Sequence, residues 1–416
     1  MRAEILTIGD ELCRGEIVNT NAQALAARLW DLDITTRWMT SCNDDEADLA
    51  AALTQAVARA DLVICSGGLG PTEDDLTVDV VSRLAGVAPV IDEVSRRRME
   101  AWFGRAGTTV TPIQLRQVRV PGGARVHGNP AGLAPCFELA LLGVPVICLP
   151  GFPREITAIY DGVLGGRLAE LREARGEVER VARRIYRAFG RGESAVSQAC
   201  RGLVDGVAGA SIHYQVKFPE TLVKLVVRDR DQAAAQARLE ALDHGVRERL
   251  ADVLYGTGEA ETLVEKVTRR LIEAGVTVAT AESCTGGMIG ELLTRMPGSS
   301  KAFKGGAIVY SNGEKIRQLG VAAATLEMHG AVSEEVVREM ALGARTRFGV
   351  DHAVAVSGIA GPDGGTPDKP VGTVWLARCG PKDEMKTKKL AWPGARDQIR
   401  LLSSWWALKL LDEALP

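Results

Sequence analysis

The fold and the chemistry of this chain are decided together by VTVATAESCTGGMIGELLTRM, Val276 to Met296. Its first six residues are short, apolar and β-branched, which predicts a buried strand. Met288, Ile289, Leu292, Leu293 and Met296 recur at helical spacing, and Pro297-Gly298 closes the helix. Between the two lies AESCTGG (281–287), so Ser283 is expected where a strand delivers a hydroxyl to a helix N-terminus. Such a turn should expose the serine and leave backbone N–H groups free for an anion or an oxyanion. Gly286 and Gly287 allow close approach of a substrate to the backbone.

Outward from that stretch the third block, 259–416, alternates helix and strand: helix 261–274, strand 276–281, helix 288–296, strand 306–310, helix 333–347, strands 352–357 and 372–377, and a last helix from about 395. Residues 1–165 alternate in the same way. Strands are expected near Ala3–Ile8, Ile34–Met39, Asp61–Cys65 and Val144–Leu149, with helices at Asn21–Leu32, Glu46–Arg59 and Leu76–Leu84. This pattern predicts a parallel sheet covered on both faces. The charged run Arg167–Arg184 reads as an exposed connection. A middle block, 178–256, carries strand-like runs at Arg184–Ala188 and Thr221–Arg228 and helical runs at Ser194–Leu203 and Gln232–Leu250, a small α+β unit without a catalytic constellation.

Composition narrows the function classes. The 416 residues exceed one ordinary core, so two or three domains are expected. Fifty Lys and Arg against 53 Asp and Glu give a net charge of −3, which makes no case for nucleic-acid binding. Eight scattered cysteines without a CxxC suit a reducing cytoplasm. No signal-peptide pattern and no membrane-length apolar run is present, so a cytoplasmic protein without a membrane partner is expected.

Four C-terminal segments carry chemistry: AESCTGG (281–287), GGAIVYSNGEK (305–315), AVSGIAGPDGGTPDKPVGTVW (355–375) and WPGAR (392–396). A serine nucleophile needs a proton acceptor, and neither His329 nor His352 is placed as an obvious base. Lys315 is the better candidate, because partial burial can lower a lysine pKa enough for it to take a hydroxyl proton. Tyr310 could relay that proton or orient the amine. These residues also occur in turns for purely structural reasons, so spacing alone leaves the trio open. Cys284 competes as nucleophile; with no histidine to pair with it, a buried thiol is the favoured reading. The loop from Gly358 to Gly365, with Gly358 and Gly361 as candidate contacts, could wrap a ligand with backbone N–H groups.

In this order the four segments resemble the C-terminal domain of the CinA family, whose stand-alone members are nicotinamide mononucleotide deamidases (PncC). The resemblance covers 259–416. It implies Ser283 as nucleophile on the carboxamide, Lys315 and Tyr310 as activating partners, and hydrolysis through an acyl-enzyme to nicotinic acid mononucleotide and ammonia, with no cofactor. Thr285, Gly286 and Gly287 would hold the oxyanion or the phosphate. Arg396 is a candidate phosphate ligand by its bidentate geometry, or equally an exposed first-turn arginine.

The first block carries GDELCRGEIVNTN (9–21), NDD (43–45), SGGLGPTEDDLT (66–77), NPAGLAP (129–135) and LPGFP (149–153). Gly67, Gly68 and Gly70 form a glycine-rich loop at the carboxyl end of a strand, where open α/β sheets bind ligands. Glu73, Asp74 and Asp75 follow directly. They make sense beside a phosphate site if a divalent cation bridges them, or equally as an acidic first turn complementing a helix dipole. GDEL…NTN and GGLGP…DDLT resemble the MoaB/MogA molybdopterin-binding fold in its version fused to CinA, and the middle block resembles that fusion's KH-like linker.

The implied architecture is thus a three-layer α/β domain, a small α+β domain and a C-terminal α/β domain. For the fusion the resemblance implies metal-dependent ADP-ribose pyrophosphatase activity giving AMP and ribose 5-phosphate. Matching positions are Glu11, Asn19, Asp44, Gly67, Gly68, Gly70, Thr72, Asp74 and Asp75. Asp44 and Asp75 are expected to position metal or water. Glu11 and Asp74 join Asp75 as metal ligands, and Asn19, Thr72 and the glycines hold substrate. Cys136 and Phe152 depart from the family pattern near the expected crevice. A homodimer is expected. Two alternatives stand beside this bifunctional reading: a deamidase with a non-catalytic nucleotide- or pterin-binding domain, and a competence or DNA-damage accessory protein.

Overall fold

The computed structural model describes every residue except Glu177, Ala260 and Pro416, so the last residue of the third block lies outside the description. Two compact units divide the chain, Met1–Val181 and Ala182 onward.

The first unit holds strands β1 (Arg2–Ile8), β2 (Thr35–Cys42), β3 (Leu62–Ser66), β4 (Pro89–Ile91), β5 (Arg119–Pro121), β6 (Arg125–His127), β7 (Cys136–Leu141) and β8 (Val144–Leu149). Six of them form one sheet in the order β2-β1-β3-β8-β7-β6, while β4 and β5 pair separately. Alternation along β1 and β3 explains the layers. Leu6, Ile8, Val63 and Cys65 face Leu49 and Leu53 of helix Glu46–Arg59 and Val80 and Val81 of helix Thr77–Ala85. Ala3, Ile5, Leu62 and Ile64 face Leu25 and Leu29 of helix Thr20–Asp31, with Ile156 and Ile159. Both faces are covered, as the near-continuous apolar strands require.

The sheet is parallel over β2, β1, β3 and β8, but β7 and β6 run antiparallel. That corrects the fully parallel expectation. Leu142 (φ 50°) and Gly143 (φ 82°) make a two-residue turn between β7 and β8, and so short a link forces a hairpin. The charged run from Arg167 is likewise more ordered than expected. Helix Gly165–Ala174 continues into it with Leu168 buried, and Arg167 binds Glu138 at 2.7 Å. Arg167, Arg172, Arg175 and Arg180 read as solvent-seeking in sequence but find Glu138, Asp33, Asp61 and Glu173 within the unit.

The second unit opens with the end of β9 (Arg180–Ala188), followed by β10 (Ala210–Lys217), β11 (Glu220–Asp229) and β12 (Leu254–Thr257), ordered β10-β11-β9-β12. Leu239, Leu242 and Val246 of helix Gln232–Arg249 pack on Tyr186, Val223 and Leu225 of this sheet. The third block forms a five-stranded sheet from β13 (Val278–Glu282), β14 (Phe303–Ile308), β15 (His352–Gly358), β16 (Thr373–Cys379) and β17 (Met385–Ala391), ordered β14-β13-β15-β16-β17. The first three are parallel and the last two antiparallel. Helices Leu263–Glu273, Met288–Thr294 and Arg396–Asp412 cover one face and helix Glu334–Phe348 the other. This domain is α/β, and β13, second in the sheet, ends at Glu282 directly before Ser283.

Candidate active sites

Ser283 is fixed by main-chain contacts on both sides. Its N–H donates to the Val356 carbonyl at 3.0 Å, tying the end of β13 to β15, and its carbonyl accepts from Gly286 N–H at 3.1 Å, closing the turn. Helix Asn312–Leu319 begins at Ser311, whose hydroxyl caps the Glu314 amide, and this start directs Lys315 inward. Lys315 is 1% exposed, and its Nζ lies 3.2 Å from Ser283 Oγ and 3.0 Å from the Val309 carbonyl. Burial pushes its pKa below the usual lysine value. No carboxylate pairs with this amine among the described residues. A buried, unpaired lysine within reach of a serine hydroxyl is the arrangement a Ser–Lys nucleophile needs.

Three expectations about this site change. Ser283 is only 8% exposed, because the turn folds back on itself and Lys315 covers the hydroxyl. The helix N-terminus is not free for an anion either. The carboxylate of Glu282, 1% exposed, accepts the amides of Gly287, Ile289 and Gly290 at 2.9–3.0 Å. With the Gly286 amide also taken, Cys284 and Thr285 are left as the turn's N–H groups that no backbone carbonyl or carboxylate engages among the described residues. Finally, Tyr310 makes no hydrogen bond to the amine among the described residues. It is 60% exposed, and its hydroxyl accepts from Arg396 at 2.9 Å, while the neighbouring Val309 supplies the carbonyl that Lys315 meets.

Arg396 also donates to the Gly361 carbonyl at 2.8 Å, so it links the Tyr310 and Gly361 segments beside the serine turn. Gly361 has φ +80°, and a Cβ there would lie 2.7 Å from Val371; a Cβ on Gly358 would lie 2.5 Å from Val374. Gly361 is thus required by packing of its own loop and Gly358 by the close pairing of β15 with β16. One helical turn past Arg396, Arg400 donates to the Thr285 carbonyl at 3.0 Å. Its Nε and the Thr285 hydroxyl are buried without partners. Sequence reasoning missed Arg400, although its i+4 spacing from Arg396 places both on one helix face. Cys284 is buried in the apolar core, and burial pushes its thiol up to about 11. His352 begins β15, opposite Val278 at the far end of β13 from Ser283.

In the first unit the glycine loop follows β3. Gly67 has φ +115°, and a Cβ there would sit 2.3 Å from the Ile8 carbonyl, so only glycine fits. A cavity of about 360 Å³ opens at this edge, lined by Glu11, Asp44, Gly67, Gly68, Asp74 and Asp75 among others. The roles inside it differ from those expected. Asp75 accepts from Gly70 N at 2.7 Å, Thr72 N at 2.9 Å and Thr72 Oγ1 at 2.6 Å. It thereby holds the loop's shape, and the Gly70 and Thr72 donors are spent on it. Asn19 caps helix Thr20–Asp31 through Ala22 N at 3.0 Å and donates to Thr7 Oγ1 at 2.8 Å, so both ends of its amide are engaged within the fold.

Asp44 keeps more freedom. It accepts one backbone N–H, from Asp10 at 2.9 Å. Its pKa is raised, first by burial and then by the charges of Asp10, Glu11 and Asp74, against the lowering effect of that hydrogen bond. Among the described residues no group of three or more His, Cys, Asp and Glu side chains converges as a metal-ligand set. Glu11, Asp74 and Asp75 therefore do not form a protein-only cation cage. Glu155, not anticipated from sequence, also lines the cavity; it is buried and accepts from Asn129 Nδ2 at 2.8 Å. Its signal lay in LPGFP, which places it in the first turn of helix Pro153–Ile159. Of the two departures, Cys136 is buried in the core beneath the sheet, and Phe152 is exposed on the cavity wall.

A CinA-like protein of Anaeromyxobacter dehalogenans (strain 2CP-C) is 42% identical over 417 residues, spanning the whole of both chains. The chain belongs to the CinA family. The family's C-terminal domain model matches residues 260–415, the CinA KH domain model 183–256, and a model described as "Probable molybdopterin binding domain" 4–170. A relative from Symbiobacterium thermophilum, named for competence-damage induction, is 43% identical over 91% of this chain and 89% of its own length. A solved structure of the competence/damage inducible protein CihA from Agrobacterium tumefaciens is 39% identical, covering 38% of this chain and 98% of that one, with a TM-score of 0.36. CinA-family domains of this kind are consistent with a hydrolase-type enzyme. No helix among the described residues is long and apolar enough to cross a membrane.

Proposed function

We propose that the C-terminal domain is a serine amidohydrolase acting on the carboxamide of nicotinamide mononucleotide. One observation carries this reading: the buried Lys315 amine 3.2 Å from the Ser283 hydroxyl. Neutral Lys315 takes the Ser283 proton as Oγ attacks the carboxamide carbon. The oxyanion that develops is met by the Cys284 and Thr285 amides, which no carbonyl or carboxylate of the described residues engages. Lys315 then returns the proton to the leaving nitrogen, ammonia departs, and water cleaves the acyl-serine with the same amine as base. Arg396 and Arg400, flanking the turn, supply the guanidinium groups for the nucleotide phosphate. No cofactor takes part.

For the N-terminal domain the best-supported reading is hydrolysis of ADP-ribose to AMP and ribose 5-phosphate, with Asp44 as the carboxylate that positions water. Its raised pKa and its place on the cavity wall support that role. A divalent cation would enter with the substrate, since Mg²⁺ needs only one or two protein carboxylates beside phosphates. A second reading, nucleotide binding without cleavage, is favoured by the commitment of Asp75 to its own loop.

A direct test incubates the full chain separately with nicotinamide mononucleotide and ADP-ribose, with and without Mg²⁺, and separates products by chromatography. Nicotinic acid mononucleotide in the first case and AMP in the second are expected. Unchanged ADP-ribose under both metal conditions would favour binding without cleavage.

A further inference from the structure

Beside the acidic cavity of the first unit lies a second one of about 370 Å³, and the two share Gln117 and Glu155 in their walls. Its character is the opposite of its neighbour's. Helix Glu93–Arg105 presents Arg98, Trp102 and Arg105 to it, at the i, i+4 and i+7 positions that share one helix face, while Met99 is the helix's buried residue. Arg154, in the first turn of helix Pro153–Ile159, lines it as well. Arg98 donates to the Gly132 carbonyl. Arg105 and Arg154 have no hydrogen-bond or ion-pair partner among the described residues.

Trp102 is 50% exposed, an indole left partly in water at a cavity wall. The lone carboxylate of the pocket, Glu155, is already bonded to Asn129. Two unpaired guanidinium groups match a phosphate, and a half-exposed indole is a stacking platform for a base. The volume falls within the range of small-molecule sites.

We propose that this pocket binds a nucleoside 5′-monophosphate, its base stacked on Trp102 and its phosphate held between Arg105 and Arg154. The remainder of a larger nucleotide would pass the Gln117–Glu155 wall into the acidic cavity. The proposal rests on the reading of the N-terminal domain as nucleotide-binding, and it holds whether or not that domain cleaves its ligand.

The test is calorimetric titration of the full chain with AMP, adenosine and ribose 5-phosphate, without metal. Trp102→Ala should weaken AMP binding at least about 5-fold, the lower end of what base–aromatic stacking contributes, and Trp102→Phe should restore it to within about 3-fold. The double variant Arg105→Ala/Arg154→Ala should weaken AMP about 10-fold or more yet leave adenosine unchanged. All three side chains are exposed, so thermal unfolding should be unaffected and loss of binding readable as such. AMP affinity equal to wild type in Trp102→Ala and in the double variant overturns the pocket assignment, even if ADP-ribose is hydrolysed. AMP binding with the expected dependence but no ADP-ribose hydrolysis upholds the pocket and overturns only the hydrolase reading.

Discussion

Replacing Lys315 with methionine isolates the chemical role of the amine from its place in the fold. The side chain is 1% exposed and contacts two oxygens, Ser283 Oγ and the Val309 carbonyl. Methionine has a similar length and no charge, so it fills the same space without a proton acceptor. General-base assistance is worth about 10²–10⁴-fold in rate, and nucleophile and base lose activity as a unit. Ammonia release should therefore fall at least about 10³-fold, roughly 4 kcal/mol of transition-state stabilisation.

Stability should move the other way. The folded-state pKa of Lys315 is below its unfolded value, so the folded protein bears a penalty for protonating it. That penalty is complete below the folded pKa and fades as pH rises toward the unfolded one, at about 1.4 kcal/mol per unit of depression. Lys315→Met removes it. At neutral pH the variant should melt no lower than wild type, with only the hydrogen bonds to Ser283 Oγ and the Val309 carbonyl lost against it. The assay couples ammonia release from nicotinamide mononucleotide to thermal unfolding of the same preparations. A folded Lys315→Met variant retaining more than about a tenth of wild-type turnover would refute the base assignment.

Further expectations follow from the same geometry. Because Lys315 must be neutral to accept the proton and its pKa is lowered, kcat/KM should rise with pH through a limb below the ordinary lysine value of about 10.4; a flat profile from pH 6 to 10 would contradict this. Glu282→Ala leaves three amides of the serine turn and following helix without their acceptor. It should cost about 2–4 kcal/mol by denaturant unfolding, with an unchanged midpoint as the contrary result. Arg400→Ala and Arg396→Ala should each raise KM for the mononucleotide about 10-fold or more while changing KM for non-phosphorylated nicotinamide little; equal losses for both substrates would remove the phosphate role.

Much of this was legible in sequence where periodicity and side-chain chemistry agree. The helix Glu46–Arg59 has the expected bounds because Asp45 caps it and its apolar positions keep one period. Ser283 was identifiable at its strand-to-helix turn, whereas spacing left Lys315 an open candidate, because the helix Asn312–Leu319 that directs it inward was not among the expected elements. Strand β17, MKTKKLA, was invisible because an edge strand carries lysines where a core strand carries valines. The donor inventory was equally hidden. Glu282 and Asp75 look like catalytic or metal-binding carboxylates in a linear motif, yet both accept backbone amides of their own turns. Only three-dimensional hydrogen-bond accounting separates such a carboxylate from one facing the cavity, as Asp44 does.

The most direct measurement compares nicotinic acid mononucleotide formation by wild type, Ser283→Ala and Cys284→Ala under identical conditions. Wild type and Cys284→Ala should both form product, the latter at most of the wild-type rate, while Ser283→Ala forms none above background. Product from Ser283→Ala, or its loss in a folded Cys284→Ala, would contradict the serine–lysine site.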